Sequence, residues 1–143
     1  KCIVFSNWSN ITSVARTLLK PYNPAYITGE TTPEDRMREV DKFQNDKSCK
    51  VIIGTIGAMG TGLTLTAAQT VIFLDSPWNR ALKDQAEDRA HRIGTKGTVN
   101  IITLCCKDTI DERIEDIVEK KGAISDALVD GKIGIEDINY LIS

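Results

Sequence analysis

The chain has 143 residues, 41% hydrophobic and 27% charged, with 18 basic and 20 acidic side chains and a formal net charge of −2. That length suits one domain with a proper hydrophobic core, and the composition is that of an ordinary soluble globular protein. No apolar run approaches the ~20 residues needed to span a bilayer, no signal-peptide pattern opens the chain, and a net charge of −2 argues against a wholesale nucleic-acid binder. Lys1 runs without an initiator Met straight into an apolar stretch, which reads as a chain cut from something longer.

CIVFS (Cys2 to Ser6) reads as a buried strand. The spacing predicts a helix from Ile11 to Leu19, stopped by Pro21. AYI (Ala25 to Ile27) is a short strand ending near Gly29. Thr32 caps a second helix, with Pro33 at its first position and Asp35 three residues after the cap, as in a capping box. Met37, Val40 and Phe43 give that helix an apolar stripe. Strands follow at Lys50 to Gly54, Thr70 to Asp75 and Val99 to Leu104. A helix is expected from Ala81 to His91, and another from Ile110 to Lys121 with Ile110, Ile114, Ile117 and Val118 inward. Short helices are expected in the last twenty residues. We detect no internal repeat, low-complexity run or linker.

Short continuous apolar strands alternating with helices predict an α/β domain: a parallel sheet covered on both faces. Ligands of such folds sit at the carboxyl ends of the strands, which makes the loops after Ser6, Ile27, Gly54, Asp75 and Leu104 the informative ones.

Charge is unevenly spread. Residues 1–107 hold 14 basic and 10 acidic side chains, net +4, and residues 108–143 hold 4 basic and 10 acidic, net −6. A mildly basic body is compatible with phosphate contacts. Cys2, Cys49, Cys105 and Cys106 form no C-x-x-C pair, and there is one His, so no zinc site is expected. Reduced thiols in or near the core are expected instead.

GAMGTGLT (Gly57 to Thr64) imitates a phosphate-binding loop, but Leu63 stands where the lysine belongs. GTGLTL fails the dinucleotide fingerprint at Leu65. VIFLD imitates a strand that presents a magnesium-binding Asp. With no phosphate loop in the chain, Asp75 reads as a strand-end structural residue. The chain therefore holds no complete nucleotide site.

In QAEDRAHRIG, Gln85, Arg89 and Arg92 stand at i, i+4 and i+7, on one helical face. Two permanently charged forks and an amide projecting together suit a polyphosphate. The same spacing also suits a solvated helix face paired with Asp84, Glu87 and Asp88.

DSPWNRALKDQAEDRAHRIG is similar to the block shared by SWI/SNF-type DNA-dependent ATPases of helicase superfamily two. Four further blocks, in the right order, resemble the same family: KCIVFSNW its opening strand of lobe two, TGETTPEDR its Gly-Ser-Thr element, VIIGTIGAMGTGLTLTAA its glycine-rich loop and TIDERI its last helix start. The resemblance covers roughly residues 1–120. It implies a RecA-like second lobe over residues 1–121, with an acidic tail at 122–143 packing back on the lobe through Ile133, Ile135, Ile138, Leu141 and Ile142.

The resemblance also implies an enzyme half: the second motor lobe of an ATP-driven double-stranded DNA translocase, inactive by itself. Arg89 and Arg92 match arginine fingers, and Gln85, Gly60 and Gly62 match the nucleotide edge. Gly29, Thr31, Thr32, Thr55, Gly57 and Ala58 match positions facing a DNA backbone. Trp78 matches a tryptophan near that backbone and also fits a core position under its loop. Arg36 fits either a DNA contact or a structural ion pair. ATP and Mg2+ would be bound mainly by an N-terminal lobe of the same chain, which is the expected partner beside duplex DNA; no membrane is expected. The location implied is the nucleoid of a bacterial or viral system, or a eukaryotic nucleus. Met59, Thr64, Arg80 and Thr95 depart from the family pattern, two of them in the glycine-rich loop. An RNA helicase lobe and a non-catalytic DNA- or protein-binding module are the rival readings.

Overall fold

A computed structural model describes residues 1–59, 63–77, 80–81, 83–85 and 97–129, the last six of these by backbone alone. Five strands, β1 (Cys2–Ser6), β2 (Ala25–Ile27), β3 (Val51–Thr55), β4 (Thr70–Phe73) and β5 (Asn100–Thr103), form one sheet in the order β2-β3-β1-β4-β5. Every pairing is parallel. Helix α1 (Ser9–Leu18) and a 3-10 turn (Lys20–Tyr22) connect β1 to β2, and α2 (Pro33–Asn45) connects β2 to β3. A single helical turn, α3 (Ile56–Met59), leaves β3, and α4 (Ile110–Val129) follows β5.

The register explains the two cores. Ile3 lies beside Ile52 and Val71, and Phe5 beside Gly54 and Phe73, so these side chains share one face. There they pack with Ile27, Phe43 of α2, and Ile56, Met59, Leu65 and Ala68 of the long β3–β4 connection. The Phe5 and Phe73 rings stack with centroids 5.5 Å apart. On the other face Val4, Val51 and Ile53 pack under Ala15 of α1 and Leu19 just after it, with Tyr26, Ile72 and Leu74 at the margin. Each fully buried large side chain contributes about 1.5–3 kcal/mol. The expected parallel sheet with both faces covered is thus present, by α1 on one side and by α2 and the β3–β4 connection on the other.

Gly54 is demanded by close approach. A Cβ there would collide with the Met59 side chain and the Ile27 carbonyl. Met59, one of the departures from the family pattern, is fully buried against it as a core residue.

Parts of the two expected stripes face outward, as do apolar residues of α1. Met37 is 73% exposed, because α2 packs through Phe43 with Val40 at the margin. Ile11, Val14 and Leu18 are exposed on α1, which turns Thr12 and Ala15 inward, with Leu19 following on the same side. β5 is an edge strand, so Ile101 and Ile102 remain partly exposed on opposite faces. α4 continues to Val129, beyond the expected end at Lys121. Ile110 and Ile117 point to solvent, while Val118 and Gly122 are buried. The reason is that α4 lies against Arg80 and Lys83: Lys83 pairs with Glu115 at 3.3 Å, and a Cβ at Gly122 would collide with Arg80. Cys49 is buried and Cys2 partly so, but Cys105 and Cys106 are exposed beyond the end of β5, contrary to the core placement expected of them.

Candidate nucleic-acid interface at the carboxyl edge of the sheet

The turn after β2 is held by its own threonines. Thr31 Oγ1 accepts from the Thr28 amide at 2.9 Å, and the Thr31 amide returns a bond to the Thr28 carbonyl at 3.2 Å. Thr32 is the N-cap of α2 with extended backbone. Its hydroxyl accepts from the Asp35 amide at 3.2 Å and donates to the Asp35 carboxylate at 2.9 Å. The expected N-cap is present, but the Asp35 carboxylate receives the Thr32 hydroxyl rather than the backbone amide that a capping box would offer it. The hydroxyls of Thr31 and Thr32 are therefore engaged locally. The first turn of α2 also carries Glu34 and Asp35, which already satisfy the positive end of the helix. Gly29 is exposed, and a Cβ there would meet open space.

The turn after β3 is similar. Thr55 Oγ1 accepts from the Ala58 amide at 3.3 Å. Ala58 is buried, while Gly57 is exposed with open space around it. One side chain joins the two turns. Arg36 donates from Nε to the Thr31 carbonyl at 3.1 Å, from Nη2 to the Thr28 carbonyl at 3.4 Å, and from Nη1 to the Ala58 carbonyl at 3.0 Å. Gly29, Thr31 and Thr32 are thus brought together with Thr55, Gly57 and Ala58. The Arg36 bridge to Ala58 escapes local pattern reading because its acceptor lies 22 residues away.

The β1 and β4 ends are also tied. Asp75 accepts from the Asn7 amide at 3.0 Å, from the Asn7 side-chain amide and from the Ser6 hydroxyl. Asn7 Nδ2 also donates to the Ser76 carbonyl at 3.1 Å. Asp75 is a structural strand-end residue, as its sequence context predicts. Ser76 beside it is buried, and its hydroxyl has no partner among the described residues.

Gln44 of α2 reaches the far end of the glycine-rich loop. Its Oε1 accepts from the Ala67 amide at 2.9 Å, and its Nε2 donates to Thr66 Oγ1 at 2.9 Å. Sequence reasoning missed this clasp, since nothing local marks a helix-surface glutamine as a loop anchor.

Gln85 is half-buried on a helical stretch, where Arg80 and Asp84 form an exposed pair at 3.7 Å. Arg89, Arg92, Gly60, Gly62 and Trp78 lie outside the described residues, as does the expected tail contact of Ile133 to Ile142. Beyond β5, desolvation and then the carboxylates of Asp111, Glu112 and Glu115 push the Cys105 thiol up, so it stays protonated at neutral pH. Among the described residues no group of three His, Cys, Asp or Glu side chains is placed to hold a metal ion, and no helix is long and apolar enough to cross a membrane.

Residues 1–94 match the family described as helicase conserved C-terminal domain. The chain is 32% identical, over its whole length, to the ATP-dependent helicase rhp16 of Schizosaccharomyces pombe, of which it covers 18%. It is 37% identical over 85% of its length to the chromatin-remodeling ATPase INO80 of Saccharomyces cerevisiae, of which it covers 8%. It therefore spans less than a fifth of these relatives. A solved structure described as the C-terminal part of the Fun30 ATPase domain superposes with a TM-score of 0.78 at 34% identity, covering 82% of this chain and 39% of that one. The five-stranded parallel sheet with its glycine-rich β3–β4 connection belongs to the helicase conserved C-terminal domain family, as a RecA-like lobe of the SWI/SNF type.

Proposed function

We propose that this chain is the second motor lobe of an ATP-dependent translocase acting on double-stranded DNA. The observation that carries the reading is the pair of strand-end turns that Arg36 fastens together, with Gly29 and Gly57 exposed and free of side chains on both. Two backbone turns so exposed let a phosphate chain approach closely, as glycine permits. The Thr32 hydroxyl donates to Asp35 and the Thr31 and Ala58 amides are spoken for within the turns, whereas the Thr55 hydroxyl only accepts and would still have its proton to give to a phosphate oxygen.

ATP would sit between this lobe and an N-terminal lobe. The latter would supply the phosphate-binding lysine and the Mg2+ ligands, since Asp75 already has both carboxylate oxygens engaged. Gln85, Gly60 and Gly62 would line the nucleotide edge. Arg89 and Arg92, three residues apart in the sequence, would stabilise charge on the transferring phosphoryl group. Trp78 would stand near the DNA backbone. Closure and opening of the lobes would move this one along a strand, and the lobe by itself would hydrolyse ATP negligibly. Such a protein works where DNA is, in a nucleus or a nucleoid.

The test is the ATP hydrolysis rate of the full-length protein with duplex DNA, single-stranded DNA, RNA or no nucleic acid. We expect stimulation chiefly by duplex DNA. Arg92→Ala should lower kcat by about 10³-fold or more, the range of a lost arginine finger. Stimulation chiefly by RNA would replace the translocase with an RNA helicase lobe. No hydrolysis under any condition would leave a binding module.

A further inference from the structure

We infer that Arg36 and Gln44 are positioning residues: α2 grips the β3–β4 connection at both ends and sets its distance from the turn after β2. The inference rests on the proposed function for its consequence on DNA, but its structural part stands on contacts alone.

At the entry of the connection the Arg36 guanidinium spends three donors on the backbone carbonyls of Thr28, Thr31 and Ala58. Its fork thus points into the protein rather than toward a bound phosphate. A planar guanidinium can hold three carbonyls from two segments at once, whereas an ammonium is a compact point charge. At the exit, Gln44 uses both ends of its amide on Ala67 and Thr66. The two residues lie eight apart on α2, about 12 Å along the axis. Val40, between them, packs with the partly buried Leu63 against the main core. One rigid helix therefore fixes both feet of a connection whose entry bears Thr55, Gly57 and Ala58, and it fixes the Gly29–Thr32 turn through the same arginine. A change of loop shape at one foot is resisted at the other. Such a linkage would let the nucleic-acid side and the nucleotide side of the connection sense each other.

The experiment uses the full-length protein and its Arg36→Gln, Arg36→Lys and Gln44→Ala variants. Amide hydrogen exchange reads the grip directly at Ala67, whose amide Gln44 accepts, and at Thr31 and Ala58 through the turns whose carbonyls Arg36 holds. Arg36→Gln should speed exchange at Thr31 and Ala58, and Gln44→Ala at Ala67, with the centre of β3 unchanged. Unaltered exchange at these amides would overturn the inference, whatever the protein does with DNA.

Duplex DNA affinity is then measured against salt concentration. Arg36→Gln should weaken binding on the order of tenfold, the worth of lost charge-assisted hydrogen bonds. Arg36→Lys should not restore it, and the slope of log K against log salt should stay that of the wild type. A slope smaller by about one, with rescue by Lys, would make Arg36 a direct phosphate contact and sink the positioning role. A wild type that binds no duplex would instead fail the proposed function, leaving the exchange result to decide the grip.

Discussion

The Asp75 carboxylate accepts the Asn7 backbone amide at 3.0 Å across 68 residues of sequence. The end of β4 is thereby fastened to the turn that leaves β1, and both carboxylate oxygens are occupied once the Ser6 hydroxyl and Asn7 side chain are included. An acidic residue at a RecA-like strand end invites a metal-binding reading; here its bonds define a lock between adjacent strands. That lock extends to the Ser76 carbonyl, so it holds the chain as it leaves β4.

Asp75→Ala should therefore destabilise the lobe by about 2–3 kcal/mol, because a charged acceptor is lost and the Asn7 amide loses its partner. Asp75→Asn should recover part of this, since one oxygen still accepts. Urea unfolding at neutral pH checks both, with the slope m unchanged if the effect is on the native state. Wild-type stability in the alanine variant would show that the lock contributes nothing.

Gly54→Ala should cost about 1–3 kcal/mol through overpacking. The added methyl would collide with the Met59 side chain and the Ile27 carbonyl. Met59→Ala should cost about 2–5 kcal/mol through the cavity it leaves. In the double variant the costs should fall short of additive, because the shortened side chain makes room. Some penalty should remain, because the Ile27 carbonyl belongs to the backbone of β2. Thermal melts of the four proteins form the cycle.

Acid should loosen the turn that joins α2 to β3. The Ser48 hydroxyl and amide, both donating to Asp46, hold its carboxyl below the ordinary carboxylate value. A depressed folded-state value means that the unfolded chain binds the proton first. This contribution to stability is accordingly present at neutral pH and is lost as pH falls below about 3.9 toward the folded value. Ser48→Ala should raise the Asp46 midpoint toward that ordinary value, read by NMR titration of the side-chain carboxyl. An unmoved midpoint would remove the Ser48 hydroxyl as a cause, since the amide at position 48 is kept in the variant.

Much of the architecture was legible locally. The runs CIVFS, AYI, VIIGT and TVIF are short, apolar and rich in β-branched residues, and each forms a buried parallel strand. Thr32, Pro33 and Asp35 announced the start of α2, because a cap is satisfied within one turn of chain. The ordered blocks from KCIVFSNW to TIDERI were enough to reach the family. Helix ends were less legible: α4 runs past Lys121 through Gly122, a residue that disfavours a helix but is kept in this one where the chain packs closely on Arg80.

The sequence by itself determined which segments are strands, where α2 begins and which family the chain belongs to, because those properties depend on local periodicity, capping and motif order. Only the tertiary structure decided which face of each helix is covered, leaving Met37, Ile110 and Ile117 in solvent. It alone turned Arg36 inward to the Ala58 carbonyl, Gln44 to Ala67 and Asp75 to Asn7. The reason is physical: an amphipathic stripe or a charged side chain advertises that it needs a partner, but the partner is chosen by which strands the crossovers bring side by side.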